Sequence, residues 1–206
     1  MAKTKTEMFT LIGANLPDNT IGAITPEKLR EVTTQLADSM LYSAAGVKEV
    51  EVLRAPSVVN QLPTALGTAI QVSFGAAQNS ASNPVMISAA GLVTFNAAGN
   101  YAVRIKLQAG RAGATGVVTL VSRILLAGVQ YGASASVRLD NANIIMPTES
   151  RVVLNATVGQ TLAVQLVRDT VDSGINAGGL YSIQPATAGW SASPSALIVV
   201  TRLEPV

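Results

Sequence analysis

The chain has 206 residues, of which 49% are hydrophobic and 13% are charged, and its formal net charge is +2 with no histidine and no cysteine. A high apolar share combined with a low net charge excludes a disordered chain, and the length suits one domain with a small accessory segment. Without histidine or cysteine there is no disulfide, no thiolate nucleophile, no Ser-His-Asp triad and no usual zinc ligand.

The charged share is about half of the ~25% found in average globular domains. A low charge density favours a surface that copies of the chain or other proteins partly cover, although an all-β monomer with a weakly charged surface is the alternative. The basic residues are scattered, whereas nucleic-acid-binding domains cluster them on one stripe with aromatic residues. We therefore expect no nucleic-acid partner.

No segment of the sequence predicts export or membrane insertion. Lys3 and Lys5 are not followed by the long apolar stretch of a secretory signal. The longest apolar stretches, 117–121 and 124–129, are separated by two polar residues and fall short of the ~20 residues that a membrane span needs. We expect synthesis in the cytoplasm and no membrane partner.

One helix is predicted, and its start is well defined. Thr25 can cap the first turn, Pro26 suits the first helical position, where no N–H is needed, and Glu27 lies near the positive end of the helix dipole. Gly46 is suited to end the helix. Residues 1–46 are thus predicted to be an extended, turn-rich arm followed by a short α-helix.

The predicted helix has one apolar stripe at spacings of three and four residues. A lone helix of about 17 residues is marginal in water, so the stripe needs a partner. Packing on the chain's own β-domain is one interpretation. Contact with symmetry-related copies, or docking on a larger assembly as an anchor, is the other and is favoured. The stripe consists of Leu29, Val32, Leu36 and Met40.

From Lys48 onward the hydrophobic period changes to two, which predicts β-strands. The cleanest alternation is Tyr101–Leu107, while 117–126 and 196–200 are apolar on both faces, which indicates burial either between two layers or between a sheet and a neighbouring subunit. Many short strands between turn clusters predict a two-sheet sandwich or barrel over 47–206. Further alternating runs are 50–52, 70–74, 152–158 and 162–166, and the turn clusters are 79–84, 97–100, 109–116, 140–143 and 172–179.

Three segments of the β-rich region resemble a known domain. Phe95–Val103 delivers a tyrosine into a long strand through Gly-Asn-Tyr, Ala156–Leu166 has a Val-Gly-Gln turn between two apolar runs, and Leu197–Leu203 is an apolar closing strand. In this order they resemble the C1q/TNF-like jelly-roll, with its G-x-Y strand, its "l-x-x-G-d-x-l-x-v" hairpin and its final strand. Gln160 stands where Asp is common in that family. The resemblance covers roughly 60–206, and it implies a jelly-roll β-sandwich that forms a homotrimer around its apolar strand faces.

A second resemblance lies before the β-rich region. Leu16–Val32 reads Leu-Pro-Asp-Asn-Thr-Ile-Gly-Ala-Ile-Thr-Pro-Glu-Lys-Leu-Arg-Glu-Val, and Ala37–Met40 follows with Asp-Ser. This is similar to the "P-D-N-T-x-G-x-I-T-P-x-x-L-R-x-V" and "D-S" segment of structural proteins of tailed bacteriophages, notably fibres and other appendages. The resemblance implies a mounting element and does not say on which part of the particle it is mounted.

Carboxylates offer little sign of catalysis or metal binding. Glu49 and Glu51 share one strand face, and Asp169 and Asp172 precede a turn, but acid–base work needs a shared cleft with two different environments. A solvated surface is favoured for both pairs. Asp140, with neighbouring asparagines, could join the two aspartates around Ca²⁺, yet no loop has EF-hand spacing. We expect no enzyme activity, no metal and no cofactor.

Two loops are also candidate binding sites. Gly110–Gly116 is glycine-rich, but a phosphate-binding loop would end in Lys followed by Ser or Thr and continue into a helix, so a flexible hairpin is predicted. Trp190 lies in a loop of small residues. It is either a residue that contacts a carbohydrate or protein partner, or a loop anchor packed on the sheet edge, and the anchor is favoured.

Together these observations predict a non-enzymatic virion protein, either a trimeric capsid decoration (cement) protein or a head fibre attached through residues 1–46. Its partners would be copies of itself and other virion proteins, such as the major capsid protein or tail and portal components. The alternative is a short tail fibre or receptor-binding protein whose loop residues Trp190, Tyr181 and Tyr131 recognise a host surface glycan.

Overall fold

A computed structural model of the chain describes residues 47–78, 84–111, 117–140, 144–171 and 178–205. Glu49–Leu203 form one compact unit. The predicted helix and its stripe, Leu29, Val32, Leu36 and Met40, lie outside the described residues and stay a prediction, as does the proposed boundary at residue 46.

The described residues contain twelve β-strands and no helix, so the prediction of a mainly β chain is confirmed for them. Their lengths range from two residues to thirteen, and the longest is at the centre of its sheet. The strands are β1 (Val47–Ser57), β2 (Ile70–Gln71), β3 (Val85–Ile87), β4 (Val93–Phe95), β5 (Gly99–Arg111), β6 (Val118–Leu126), β7 (Val129–Gln130), β8 (Ala135–Leu139), β9 (Ile145–Ala156), β10 (Thr161–Arg168), β11 (Gly178–Leu180) and β12 (Ala196–Pro205).

The strands form two antiparallel sheets. In the first sheet the order is β1-β12-β5-β9, and β11 pairs with β5 beyond the end of β12. The second sheet has the order β3-β4-β10-β6-β8, with β2 also beside β10 and β7 also beside β6. Eight of these strands form the backbone of the two sheets: β1, β4, β5, β6, β8, β9, β10 and β12. When these eight are numbered 1 to 8 along the chain, the order is 1-8-3-6 in the first sheet and 2-7-4-5 in the second. This is the arrangement of a jelly-roll sandwich.

The core lies between the sheets and follows the predicted alternation. On β5, Tyr101, Val103, Ile105 and Leu107 are buried, whereas the residues between them point away from the core. Val103 pairs with Val200 of β12 and Ile105 pairs with Ile198, so aliphatic side chains of adjacent strands lie side by side. Full burial of such a side chain contributes about 1.5–3 kcal/mol, so this central pair of strands stabilises the first sheet substantially.

Burial on both faces was predicted for two strands, and within the single chain it is found for one. In β12, Ile198 faces the core, and Val199 on the opposite side is only 5% exposed. Long charged side chains on neighbouring strands surround Val199 and shield it. In β6 the face away from the core is not covered within the chain, since Arg123 is exposed and Val121 is half-buried, so burial of that face against a neighbouring subunit stays a prediction. Only the core-facing residues of β6 are fully covered.

The two predicted hairpins are connections between sheets. β5 ends at Arg111 in the first sheet and β6 begins at Val118 in the second, so the hairpin predicted at Gly110–Gly116 is wrong. The Ala156–Leu166 segment likewise passes from β9 in the first sheet to β10 in the second. Turn residues mark where the chain reverses, but they carry no information on which sheet receives the next strand.

The turn between β9 and β10 explains how Gln160 replaces the usual aspartate. Gly159 has φ +80°, as the third residue of a type II turn requires, and the Gln160 N–H donates to the Thr157 carbonyl at 3.1 Å. The Gln160 side-chain oxygen accepts the Thr157 N–H at 3.1 Å, which is the acceptor role that an aspartate oxygen could fill. Val158 is 68% exposed at the tip, so its predicted place in an alternating strand is wrong.

Candidate assembly surfaces

One side of the sandwich is open. β8 and β9 each have a strand partner on one edge only within the described residues, and the two sheets separate between them. Two clefts of about 280 and 200 Å³ lie along this side. Both reach Leu107 in the core and both have Ser122 and Ala135 at the rim. Leu107 itself is only 5% exposed, so the clefts end at the core, which stays covered.

Small side chains cause the opening. The residues of β9 that point between the sheets include Thr148, Ser150 and Val152, which are small and only half-buried, although Val152 packs against the core. Across the gap, Ser122 and Ala135 are also small. Protein interiors are normally packed to crystal-like density, so an unfilled strip of this kind is a place where another surface can pack.

The edge of β9 is long and mostly unpaired on its outer side. All twelve of its residues pair with β5, from Gly99 opposite Ala156 to Gly110 opposite Ile145. The Tyr131 hydroxyl donates to the Val153 carbonyl at 3.0 Å and covers one point of the outer edge. A long exposed edge is a template for pairing or packing with another chain. We define the open edge as β8, β9 and the clefts between them.

The solvent-facing side of the first sheet carries a cluster of charges of both signs. Glu149 lies 3.2 Å from Lys106 and 3.9 Å from Arg104, and Glu49 lies 3.5 Å from Arg151. These side chains are all substantially exposed, so each pair contributes little to stability. The predicted solvated surface at Glu49 agrees with this exposure.

Glu51 has a separate partner on its own strand. Its carboxylate accepts two hydrogen bonds from the Arg54 guanidinium, each 3.0 Å long. The hydrogen bond and the charge of Glu51 raise the pKa of Arg54 above its usual value. The carboxylates of Glu49 and Glu51 thus each form an ion pair with an arginine, and both line one open cleft on the solvent-facing side of the first sheet.

The aspartates considered for a cation are engaged locally. Asp140 accepts a hydrogen bond from Arg138 at 2.9 Å, and Asp169 accepts the Val171 N–H at 3.3 Å in a turn. Asp172 lies outside the described residues. Within the described ranges, no three acidic, histidine or cysteine side chains come together as metal ligands would.

Trp190 does not pack on the sheet edge, so the favoured interpretation of its loop was wrong. Its indole is 69% exposed. The loop holds its backbone instead: the Trp190 N–H donates to the Thr187 carbonyl at 3.4 Å, and the Gln184 amide donates to the Trp190 carbonyl at 3.2 Å. Since the neighbouring residues are small, nothing covers the ring. Of the two tyrosines considered with it, Tyr131 binds the β9 edge and Tyr181 is half-buried.

The part of the chain that the structure describes contains no helix with the length and hydropathy needed to cross a membrane.

Comparison with known proteins gives a structural likeness only. No protein-family model matches the chain, and no curated protein matches it in sequence. A crystal structure of murine APRIL at pH 8.0 is similar over 76% of this chain and 100% of that one, with 15% identity and a TM-score of 0.43. A second structure of murine APRIL, at pH 8.5, gives 14% identity, the same coverage and the same TM-score. The jelly-roll assignment therefore rests on the strand order described above.

Proposed function

We propose that the chain is a non-enzymatic structural protein of a tailed-bacteriophage particle, a homotrimeric capsid decoration (cement) protein or head fibre mounted through residues 1–46. The open edge carries the proposal. The clefts along this side and the unpaired outer side of β9 can be filled by another copy, and burial of their partly apolar lining removes apolar surface from water. In this proposal the function of the domain is to associate with other copies of the chain.

The open edge favours a closed ring of copies. An edge that packs against a different face of its neighbour makes a head-to-tail contact, and such contacts close into a ring when the rotation allows it. The C1q/TNF-like resemblance of Phe95–Val103, Ala156–Leu166 and Leu197–Leu203 implies a ring of three. We propose the homotrimer on these two grounds.

The particle is proposed from the resemblance of Leu16–Met40 to the mounting segment of phage appendages. In a trimer, three such arms would bind together, so a modest affinity of each arm would be multiplied by the high effective concentration of the other two. The apolar stripe of the predicted helix, with Leu29, Val32, Leu36 and Met40, is the proposed contact.

Deletion of residues 1–45 tests both halves of the proposal. Light scattering should give a trimer for the full chain and for residues 46–206, because the jelly-roll unit begins at Glu49. Cosedimentation with phage particles that lack the protein should show attachment of the full chain only. A monomer at micromolar concentration would contradict the trimer, and undiminished attachment of the shortened chain would contradict the arm assignment.

The exposed Trp190 favours one second candidate, a short tail fibre that recognises a host surface glycan. An exposed indole can stack on the apolar face of a sugar ring. Selective binding on a glycan array, lost in Trp190→Ala, would favour this function over decoration of the capsid.

A further inference from the structure

Two loops at one end of the sandwich expose large apolar side chains. One loop follows β1 and the other joins β11 to β12. We define the apolar platform as the five side chains that these loops expose. They are Val58 (56% exposed), Val59 (65%), Leu62 (40%), Ile183 (45%) and Trp190 (69%).

Hydrogen bonds join the two loops into one surface. The Asn60 side-chain oxygen accepts the Ser182 N–H at 2.8 Å, and the Ser195 hydroxyl, which is buried, donates to the Val59 carbonyl at 2.6 Å. Gln61 and Leu180 exchange backbone hydrogen bonds of 2.9 and 2.8 Å. The loop after β1 is thereby fixed beside the β11–β12 loop, so the platform is held in place before any partner arrives.

The β11–β12 loop is also hydrogen bonded internally. The Ser193 hydroxyl accepts the Ile183 N–H at 3.1 Å, and the Ser182 hydroxyl donates to the Ser193 carbonyl at 2.7 Å. The Gln184 amide donates to the Trp190 carbonyl. These polar side chains therefore bind the protein's own backbone, while the aliphatic side chains and the indole face solvent. This arrangement reverses the usual one, in which polar groups face water.

The platform lies in sequence without charge. Residues 55–103 and 173–201 contain no aspartate, glutamate, lysine or arginine, and the platform side chains come from these two segments. Beside Leu62 the Arg168 guanidinium donates to the Pro63 carbonyl, but Arg168 is only 8% exposed, so a charged ligand group at the platform would lose its hydration and gain little from it, which is costly. The platform therefore favours an uncharged, apolar surface.

We propose that the apolar platform docks an uncharged, apolar surface of a second protein of the particle, separate from the contact made by the arm. That this partner is a protein of the particle rests on the proposed function. Exposed apolar patches on a rigid surface mark interaction sites, and tryptophan is enriched at the centre of such contacts. A glycan fits less well, because Asn60, Ser182, Ser193 and Ser195 are already bonded to the backbone and are not free for the hydrogen bonds that a sugar needs.

The size of the platform argues against a second copy as its partner. Each side chain offers at most ~250 Å², and part of it is already buried, so five of them fall short of the ~800 Å² per partner in a standard stable interface. A contact of this size is weak alone. It becomes effective when three platforms of one trimer bind a repeating surface together.

The absence of cysteine makes a site-specific test straightforward. Ile183→Cys introduces the only thiol of the chain, which is labelled with a polarity-sensitive dye. Val129→Cys, on β7 and 71% exposed, is the matched control. Full-length labelled protein is mixed with phage particles that lack it. We expect a blue shift of the dye at residue 183 and none at residue 129, and we expect Trp190→Ala to weaken particle binding at least tenfold while Val129→Ala does not.

Each other outcome is decisive. Attachment to particles without a shift at residue 183 would overturn the platform assignment and leave the virion proposal standing. Failure of the unlabelled full chain to attach would overturn the virion proposal and the platform's partner with it. A shift that follows protein concentration without particles would identify a second copy as the partner. Selective glycan-array binding that depends on Trp190 would identify a sugar.

Discussion

Gly91 and Gly128 have nearly the same backbone conformation, with φ of +82° and +80°, but different surroundings. A Cβ at Gly91 would lie 2.1 Å from the Val72 carbonyl oxygen, whereas a Cβ at Gly128 would meet nothing within 4 Å. The left-handed conformation alone costs an L-residue about 1–2 kcal/mol. In the sequence both are turn glycines, and only the tertiary structure shows that one is packed against backbone and the other is not.

Alanine at these two glycines should therefore separate conformational strain from steric overlap. We expect Gly128→Ala to lower the free energy of unfolding by about 1 kcal/mol, the cost of the positive φ. Gly91→Ala should lower it by about 3 kcal/mol or more, because the backbone at Val72 must also shift to relieve the overlap with the new Cβ. Urea denaturation of the two variants measures the difference, and equal losses would contradict the close approach to Val72.

At the scale of the element, the segment after β2 has its backbone hydrogen bonds satisfied by a side chain and not by a neighbouring strand. Alternation over 70–74 predicted a longer strand, yet β2 ends at Gln71 while Val72 and Phe74 stay buried. The Gln61 side chain accepts the Ser73 N–H at 2.7 Å and donates to the Ser73 carbonyl at 2.9 Å. The burial was predictable from the period, but the partner was not, because Gln61 is twelve residues away.

Loss of the Gln61 side chain should destabilise this segment strongly. Gln61→Ala removes both hydrogen bonds and leaves the half-buried Ser73 backbone groups without them, so we expect a loss of about 2–4 kcal/mol in the free energy of unfolding. Gln71→Ala is the control, since its bond to the Ala90 carbonyl is exposed, and should cost less than about 1 kcal/mol. Equal effects in thermal or urea denaturation would contradict the role given to Gln61.

At the scale of the whole molecule, the two sides of the sandwich differ. On the side of β9, small inward residues such as Thr148 and Ser150 leave clefts that reach Leu107. β3 forms the opposite edge of the second sheet and exposes Met86. Among the described strands, β9 combines twelve residues whose outer side faces no strand with clefts that reach down to the core, so the open edge is the surface on which assembly is expected to depend.

An arginine at the open edge should block assembly without unfolding the domain. In Ser150→Arg the long side chain can extend to solvent, so the monomer should keep its circular dichroism spectrum, but a neighbouring copy can no longer pack against the cleft. Light scattering should give a monomer. Met86→Arg, on the opposite edge strand, should remain a trimer. A trimeric Ser150→Arg protein would show that the interface lies elsewhere.

The sequence by itself determined the β-class of the domain, the core-facing residues from Tyr101 to Leu107 and the resemblance to a jelly-roll, because alternation and turn residues are local properties. Gln160 stood out in the sequence only as a departure from the resemblance, and the structure showed that its side-chain oxygen accepts the Thr157 N–H. Only the tertiary structure decided that the β5–β6 and β9–β10 turns cross between sheets, that the β9 side is open, and that Trp190 is exposed. These features depend on which residues face each other across the sandwich, and that pairing is not encoded in the period of any one strand.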